Sequence, residues 1–87
     1  MVVKIRKDKF QMALYKKLLT ITEFAKLTGY DNTLFCKLYD TSSSKNSCTP
    51  KFIKSVMTNL KKKTNPHEIK QNIKTEDIFI TKNITRR

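Results

Sequence analysis

The sequence has few residues that interrupt helices and strands, and few that form disulfides or bind metals. Its 87 residues include one glycine, two prolines, two cysteines and one histidine. Cys36 and Cys48 lie twelve positions apart and form no CxxC pair, so the sequence predicts neither a disulfide framework nor a zinc site. We expect both cysteines to be reduced and no metal or other cofactor to be bound.

Patterns typical of catalysis are missing as well. His67 is the only histidine, and it lies in a helix-capping sequence rather than beside a nucleophile. No serine lies in a nucleophile elbow, no glycine-rich loop could hold a nucleotide, and the acidic residues are scattered. The sequence therefore predicts a protein that is not an enzyme and has no small-molecule substrate.

Acidic residues and long apolar runs are also scarce. Seven acidic side chains stand against nineteen basic ones, giving a formal net charge of +12. No apolar run approaches the ~20 residues of a membrane span, and the N-terminus lacks the apolar core of a signal peptide. These features predict a cytoplasmic protein without membrane contact and with a polyanionic partner. The alternative is a basic, solvated surface that has no such partner.

The single glycine lies between two short amphipathic segments. Thr20 and Glu23 have the spacing of a capping box, so a helix is expected to begin at Thr20, with Phe24 and Leu27 on its apolar side. Ala25 is the small residue that would let a second helix cross closely over the first. Gly29 is expected to end this helix, because the left-handed backbone conformation required there suits glycine.

A second short helix is predicted over residues 31–39. Asp31 is a suitable N-cap, and Leu34, Phe35 and Leu38 recur at helical spacing. Two such helices joined by a tight bend form a helix-turn-helix pattern, although a plain helical hairpin within a bundle is the alternative.

This stretch resembles the helix-turn-helix of the phage repressor and Cro group, the Xre-type regulators. The resemblance rests on Leu19-Thr20, Glu23-Phe24-Ala25, Leu27-Thr28-Gly29, Phe35 and Leu38. It departs at Ile21, where that family usually has a glutamine that helps to hold a phosphate. The first half also resembles MerR-type and excisionase-type winged helices, which would need a β-hairpin after Tyr39.

The remaining segments extend the predicted helical bundle on both sides of the motif. Residues 1–8 are predicted to be a basic arm on phosphate, a short strand with Val3 and Ile5 on one face, or a frayed terminus. From Asp8 or Lys9 a helix is expected to run to Leu18. Its predicted core residues are Phe10, Ala13, Leu14 and Leu18, with Lys16 and Lys17 outside.

Two further helices are predicted after a polar loop over residues 40–48. Thr49 and Pro50 are a preferred N-cap and N1 pair, followed by a core stripe of Phe52, Ile53, Val56, Met57 and Leu60. Asn65, Pro66 and Glu68 repeat this pattern and predict a fifth helix through about Asn72 that buries Ile69 and Ile73. The loop is either a phosphate contact or a flexible connection.

The tail over residues 74–87 alternates in the manner of a strand, with Ile78 and Ile80 on one face and Phe79, Thr81 and Asn83 on the other. We expect Ile78, Phe79 and Ile80 to form a homodimer contact; pairing with residues 2–5 of the same chain, or disorder, are the alternatives. The whole chain is then a single domain, with an arm over 1–8, a helical core over 9–73 and this tail. The resemblance implies a mainly α, lambda-repressor-like bundle of four to five helices with a possible C-terminal β-strand.

The predicted function is sequence-specific binding of double-stranded DNA by a phage- or plasmid-type repressor, with the helix over 31–39 in the major groove. The predicted base contacts are Asn32, Thr33, Cys36 and Lys37, and the predicted phosphate contacts are Thr20, Thr22, Ser43, Ser44 and Lys45. Two alternatives stay open: an excisionase-like architectural DNA-binding protein, and a protein-binding antirepressor or inhibitor module.

Overall fold

A computed structural model describes residues 2–82 and is mainly helical, with one small sheet. The elements in chain order are β1 (Val2–Ile5), α1 (Lys7–Lys16), α2 (Ile21–Thr28), α3 (Asn32–Leu38), α4 (Pro50–Lys61), α5 (Thr75–Ile78) and β2 (Phe79–Lys82). The predicted mainly helical class is confirmed. Asn83 and Ile84, which the tail prediction included, lie outside the described residues.

The predicted bend between α2 and α3 is present. The Thr20 hydroxyl accepts from the backbone N–H of Glu23, and the Glu23 carboxylate accepts from the N–H of Thr20, which completes the capping box. Gly29 has φ of 80° and ends α2 as expected. Asp31 is the N-cap residue of α3, but its side chain makes no capping hydrogen bond.

A cluster of aromatic rings fills the space between the helices. Phe10 of α1 meets Phe24 of α2 and Phe35 of α3 edge to face, at centroid distances of 5.5 and 5.8 Å. Phe52 of α4 packs on Phe35 in the same manner at 5.2 Å. Such T-shaped contacts add to the free energy gained by burying the rings, so this cluster fixes α3 against three neighbouring helices.

The two strands join the ends of the described chain. β1 and β2 pair antiparallel, with Val2 opposite Lys82 and Ile5 opposite Phe79. Residues 2–5 are therefore a strand, which is one of the three alternatives that the sequence predicts. Ile5 also forms an isolated parallel bridge with Tyr39, which links the sheet to the end of α3.

The prediction for α1 was wrong at its C-terminal end. The helix stops at Lys16, Leu18 takes a left-handed backbone conformation with φ of 60°, and its side chain is exposed. Lys17, expected outside, is 0 % exposed. Its Nζ donates to the carbonyl of Lys62 at 2.6 Å and to the carboxylate of Glu68 at 2.9 Å, and these partners compensate for burying the charge.

The predicted fifth helix over residues 65–72 is also wrong. Its capping contacts do form, because the Glu68 carboxylate accepts from the N–H of Asn65 and the Asn65 side chain accepts from the N–H of His67. The chain then turns away: the N–H of Ile69 donates to the carbonyl of Lys16, at the end of α1. Ile69 is exposed rather than buried, and a single helical turn, α5, follows later.

The helix α4 begins as predicted. The Thr49 hydroxyl accepts from the N–H of Phe52, and Pro50 occupies the first turn. Its buried residues are Phe52, Val56, Met57 and Leu60, and Ile53 is half-buried. On α2, Leu27 departs from its prediction and is exposed, because Phe24 and Ala25 occupy the inward side of that helix.

Candidate nucleic-acid interface

Three of the predicted base-contacting residues share the outer side of α3. Thr33, Cys36 and Lys37 are exposed, and their spacing of i, i+3 and i+4 places them on one face of the helix. Phe35 and Leu38 are fully buried on the other side. The aromatic core therefore fixes which side chains of α3 face solvent.

Asn32, the fourth predicted base contact, is only half exposed. Its side-chain amide donates to the hydroxyl of Thr22 at 3.3 Å, so a predicted base contact and a predicted phosphate contact lie side by side. The Oδ1 atom of Asn32 is buried and accepts no hydrogen bond within the described chain. An unsatisfied buried acceptor costs free energy, which favours any rearrangement that gives it a donor.

The start of α2 is less free to bind phosphate than the sequence predicts. Thr20 and Thr22 are both exposed, but the Thr20 hydroxyl already serves the capping box. The Glu23 carboxylate adds a negative charge at the same end of the helix. This charge repels an anion, and the Thr22 hydroxyl already accepts from Asn32, so neither threonine is free of other contacts.

The polar loop between α3 and α4 has no helix or strand over residues 41–49. Ser43 and Lys45 are exposed, as a phosphate contact requires, whereas Ser44 is half-buried. The Ser44 hydroxyl accepts from the N–H of Asn46, and the Ser47 hydroxyl accepts from the N–H of Val3. The loop is thus tied both to itself and to β1.

Lys4 is the residue near this surface that the sequence analysis missed. It is only 2 % exposed, and its Nζ donates to the carbonyl of Ser44 at 2.6 Å and to that of Lys37 at 3.1 Å. Among residues 2–82 no carboxylate lies within salt-bridge distance of this ammonium. One buried cation therefore joins the end of α3 to the polar loop. The only indication of this burial in the sequence is that Lys4 lies between two apolar residues, Val3 and Ile5.

The two cysteines lie in different surroundings. Cys36 is exposed on α3, whereas Cys48 is buried. Burial raises the pKa of the Cys48 thiol to about 12, against the opposing effect of the positive charge of Lys4. Burial also raises the pKa of Tyr39, and the neighbouring Cys36 acts in the same direction. Cys48 therefore stays a neutral thiol at neutral pH and serves the core.

The residues predicted to form a dimer contact lie mostly inside the same chain. Ile78 and Phe79 are buried in its core, and Ile80 is half-buried. Ile78 is the last residue of α5, and Phe79 and Ile80 belong to β2, which pairs with β1 of the same chain as one of the alternatives predicted. Their side chains are therefore not available as the partner surface that the sequence predicts.

No protein-family model, curated protein or solved structure matches this chain. Within residues 2–82 no three His, Cys, Asp or Glu side chains come together in a way that could hold a metal ion. No helix in that range is both long enough and apolar enough to cross a membrane.

Proposed function

We propose that this protein is a sequence-specific, double-stranded DNA-binding regulator of the phage- or plasmid-type repressor kind, with a lambda-repressor-like helical bundle. The observation that supports it most is α3: Thr33, Cys36 and Lys37 project from one side while the other side is fixed in the core. A helix held in this way can enter the major groove with its polar side chains toward base edges.

The charge of the protein favours the same function. A formal net charge of +12 on 87 residues attracts polyanions over long distances. Lys37 on α3 and Lys45 in the neighbouring loop are exposed and can reach phosphates beside the groove. We therefore propose DNA binding, and not catalysis, as the role of this surface.

The excisionase-like alternative receives less support. A winged helix would need a β-hairpin directly after α3, and residues 41–49 contain no strand. The two-stranded sheet is built instead from Val2–Ile5 and Phe79–Lys82. The protein-binding alternative has no specific contact in its favour, and it becomes an outcome of the DNA-binding test.

The test is selection of bound duplexes from a random pool, followed by affinity measurements on the selected site and on an unrelated duplex. We expect a steep fall in affinity with salt, as phosphate contacts require. Lys37→Ala and Asn32→Ala should reduce the preference for the selected site. Lys70→Ala removes the same charge as Lys37→Ala from an exposed residue outside the interface, and it should leave the preference unchanged.

Two results would overturn the proposal. Selection that enriches no sequence, together with weak binding to every duplex, would point to a protein partner. Undiminished preference in the Lys37→Ala and Asn32→Ala variants would show that another surface reads the DNA.

A further inference from the structure

The helix α1 buries only one of its sides. Its inward residues are Phe10, Ala13 and Leu14. On the opposite side Asp8, Met12 and Tyr15 follow at i, i+4 and i+7, and all three are exposed. Met12 is 55 % exposed and Tyr15 74 %, which is high for large side chains of this kind.

We propose that the α1 face, defined as Asp8, Gln11, Met12 and Tyr15, binds a second copy of this chain, with the two α1 helices antiparallel across a two-fold axis. These four residues also line one shallow groove. The proposal does not depend on DNA binding, because none of them belongs to the candidate nucleic-acid interface.

The spacing of charges along α1 makes the face complementary to itself. In an antiparallel pair centred beside Met12, residue 8 of one helix lies opposite residues 15 and 16 of the other. The Asp8 carboxylate then lies near the hydroxyl of Tyr15 and, beyond the edge of the face, near the half-exposed Lys16 of the second copy. Two-fold symmetry makes each contact twice, with the Met12 side chains together at the centre.

The same face is poorly suited to a polyanion. Asp8 places a carboxylate on it, and its largest exposed groups, Met12 and Tyr15, are mainly apolar. Ile69 lies near this face, since its N–H donates to the carbonyl of Lys16 at the end of α1. Its exposed side chain adds apolar surface there. A second copy covers the apolar groups of this surface and also places a partner beside its carboxylate.

The association should be weak and should strengthen with salt. α1 has ten residues, so a contact confined to it falls short of the roughly 1,000 Å² that stable interfaces bury. Two chains of charge +12 also repel each other, and salt screens this repulsion. DNA binding has the opposite salt dependence.

The experiment is oxidative crosslinking of Met12→Cys in a Cys36→Ser background at high protein concentration and high salt. Facing Cα atoms of two packed helices lie about 4–6 Å apart, which suits a disulfide. We expect covalent dimers. Leu27→Cys in the same background is the matched control, because Leu27 is also exposed but lies on α2, and it should crosslink far less.

Charge reversal tests the orientation of the two helices. Asp8→Lys should weaken self-association about tenfold in sedimentation measurements, and Asp8→Lys with Lys16→Asp should restore it. Asp31→Lys changes the net charge by the same amount at an exposed residue outside the α1 face, and it should weaken self-association less. Equal crosslinking of Met12→Cys and Leu27→Cys would overturn the proposal. Self-association that is insensitive to Asp8→Lys would also overturn it.

Discussion

The ammonium of Lys17 lies 2.9 Å from the carboxylate of Glu68, and it also donates to the carbonyl of Lys62. The second Glu68 oxygen accepts from the N–H groups of Thr64 and Asn65. These bonds hold the irregular segment after α4 against the end of α1, where Gln71 further donates to the carbonyl of Ala13. A segment without regular structure is thus held by several hydrogen bonds and by one ion pair whose lysine is fully buried.

Removing one member of this pair should destabilise the fold strongly. Lys17→Met leaves the Glu68 carboxylate without its cation, and we expect a loss of about 3–5 kcal/mol in the free energy of unfolding. Urea denaturation measures it. Glu76→Gln, at an exposed carboxylate on α5, is the control and should change the free energy by less than about 0.5 kcal/mol. A small loss in Lys17→Met would show that the pair is not structurally important.

The stability of the protein should fall in acid because of Glu68. Partial burial raises the pKa of this carboxyl, but hydrogen bonds from Lys17, Asn65 and Thr64, together with the charge of Lys17, outweigh burial and lower the pKa to about 2. A depressed folded-state pKa gives stability that is complete above the unfolded value, 4.5, and is lost as pH falls toward 2. Melting temperatures recorded between pH 6 and pH 2 should show this loss.

The variant Glu68→Gln isolates that contribution. It should have a lower melting temperature near neutral pH and a flatter dependence on pH below 4.5 than the unaltered protein. Parallel curves for the two proteins would assign the acid sensitivity to other carboxylates.

Lys4 should control the order of the polar loop. Lys4→Met keeps most of the aliphatic side chain but leaves the carbonyls of Lys37 and Ser44 without their donor, at a cost of about 1–3 kcal/mol. We expect faster amide hydrogen exchange at Asn46 and Cys48, with the rest of the core unchanged. Lys4→Arg, which keeps the charge and the donors, should recover part of the protection. Unchanged exchange in Lys4→Met would contradict this role.

Gly29 should tolerate only residues that accept a left-handed backbone. At φ of 80°, Gly29→Ala meets no steric contact, since nothing lies within 4 Å of the added Cβ, but it places alanine in an unfavourable conformation. We expect a loss of about 1–2 kcal/mol in the free energy of unfolding. Gly29→Asn should lose less, because asparagine accepts this conformation more readily. Equal losses in the two variants would point to a cause other than backbone conformation.

Features that depend on neighbouring residues could be predicted from the sequence. The capping box of Thr20 and Glu23, the end of α2 at Gly29 and the start of α4 at Thr49 each depend on a few adjacent side chains. The outward positions of Thr33, Cys36 and Lys37 also followed from the helical spacing of their apolar neighbours.

Features that depend on residues far away in the sequence could not be predicted from it. Lys4 and Lys17 appear as ordinary basic residues, and their burial depends on acceptors 33 to 51 positions away. The capping contacts of Asn65 and Glu68 formed without a helix, because Lys17 and the carbonyl of Lys16 hold that segment in another path. A local capping pattern therefore shows where a turn begins but not whether a helix follows.

The pairing of Val2–Ile5 with Phe79–Lys82 has a consequence for how the protein is made. The first strand finds its partner only after the whole segment between the two strands, residues 6–78, has been synthesised. Until then Ile5, which is fully buried in the finished protein, lacks one neighbour of its final environment. Because the two strands lie side by side, a linker joining Lys82 to Val2 should allow new termini to be opened in the polar loop without separating them.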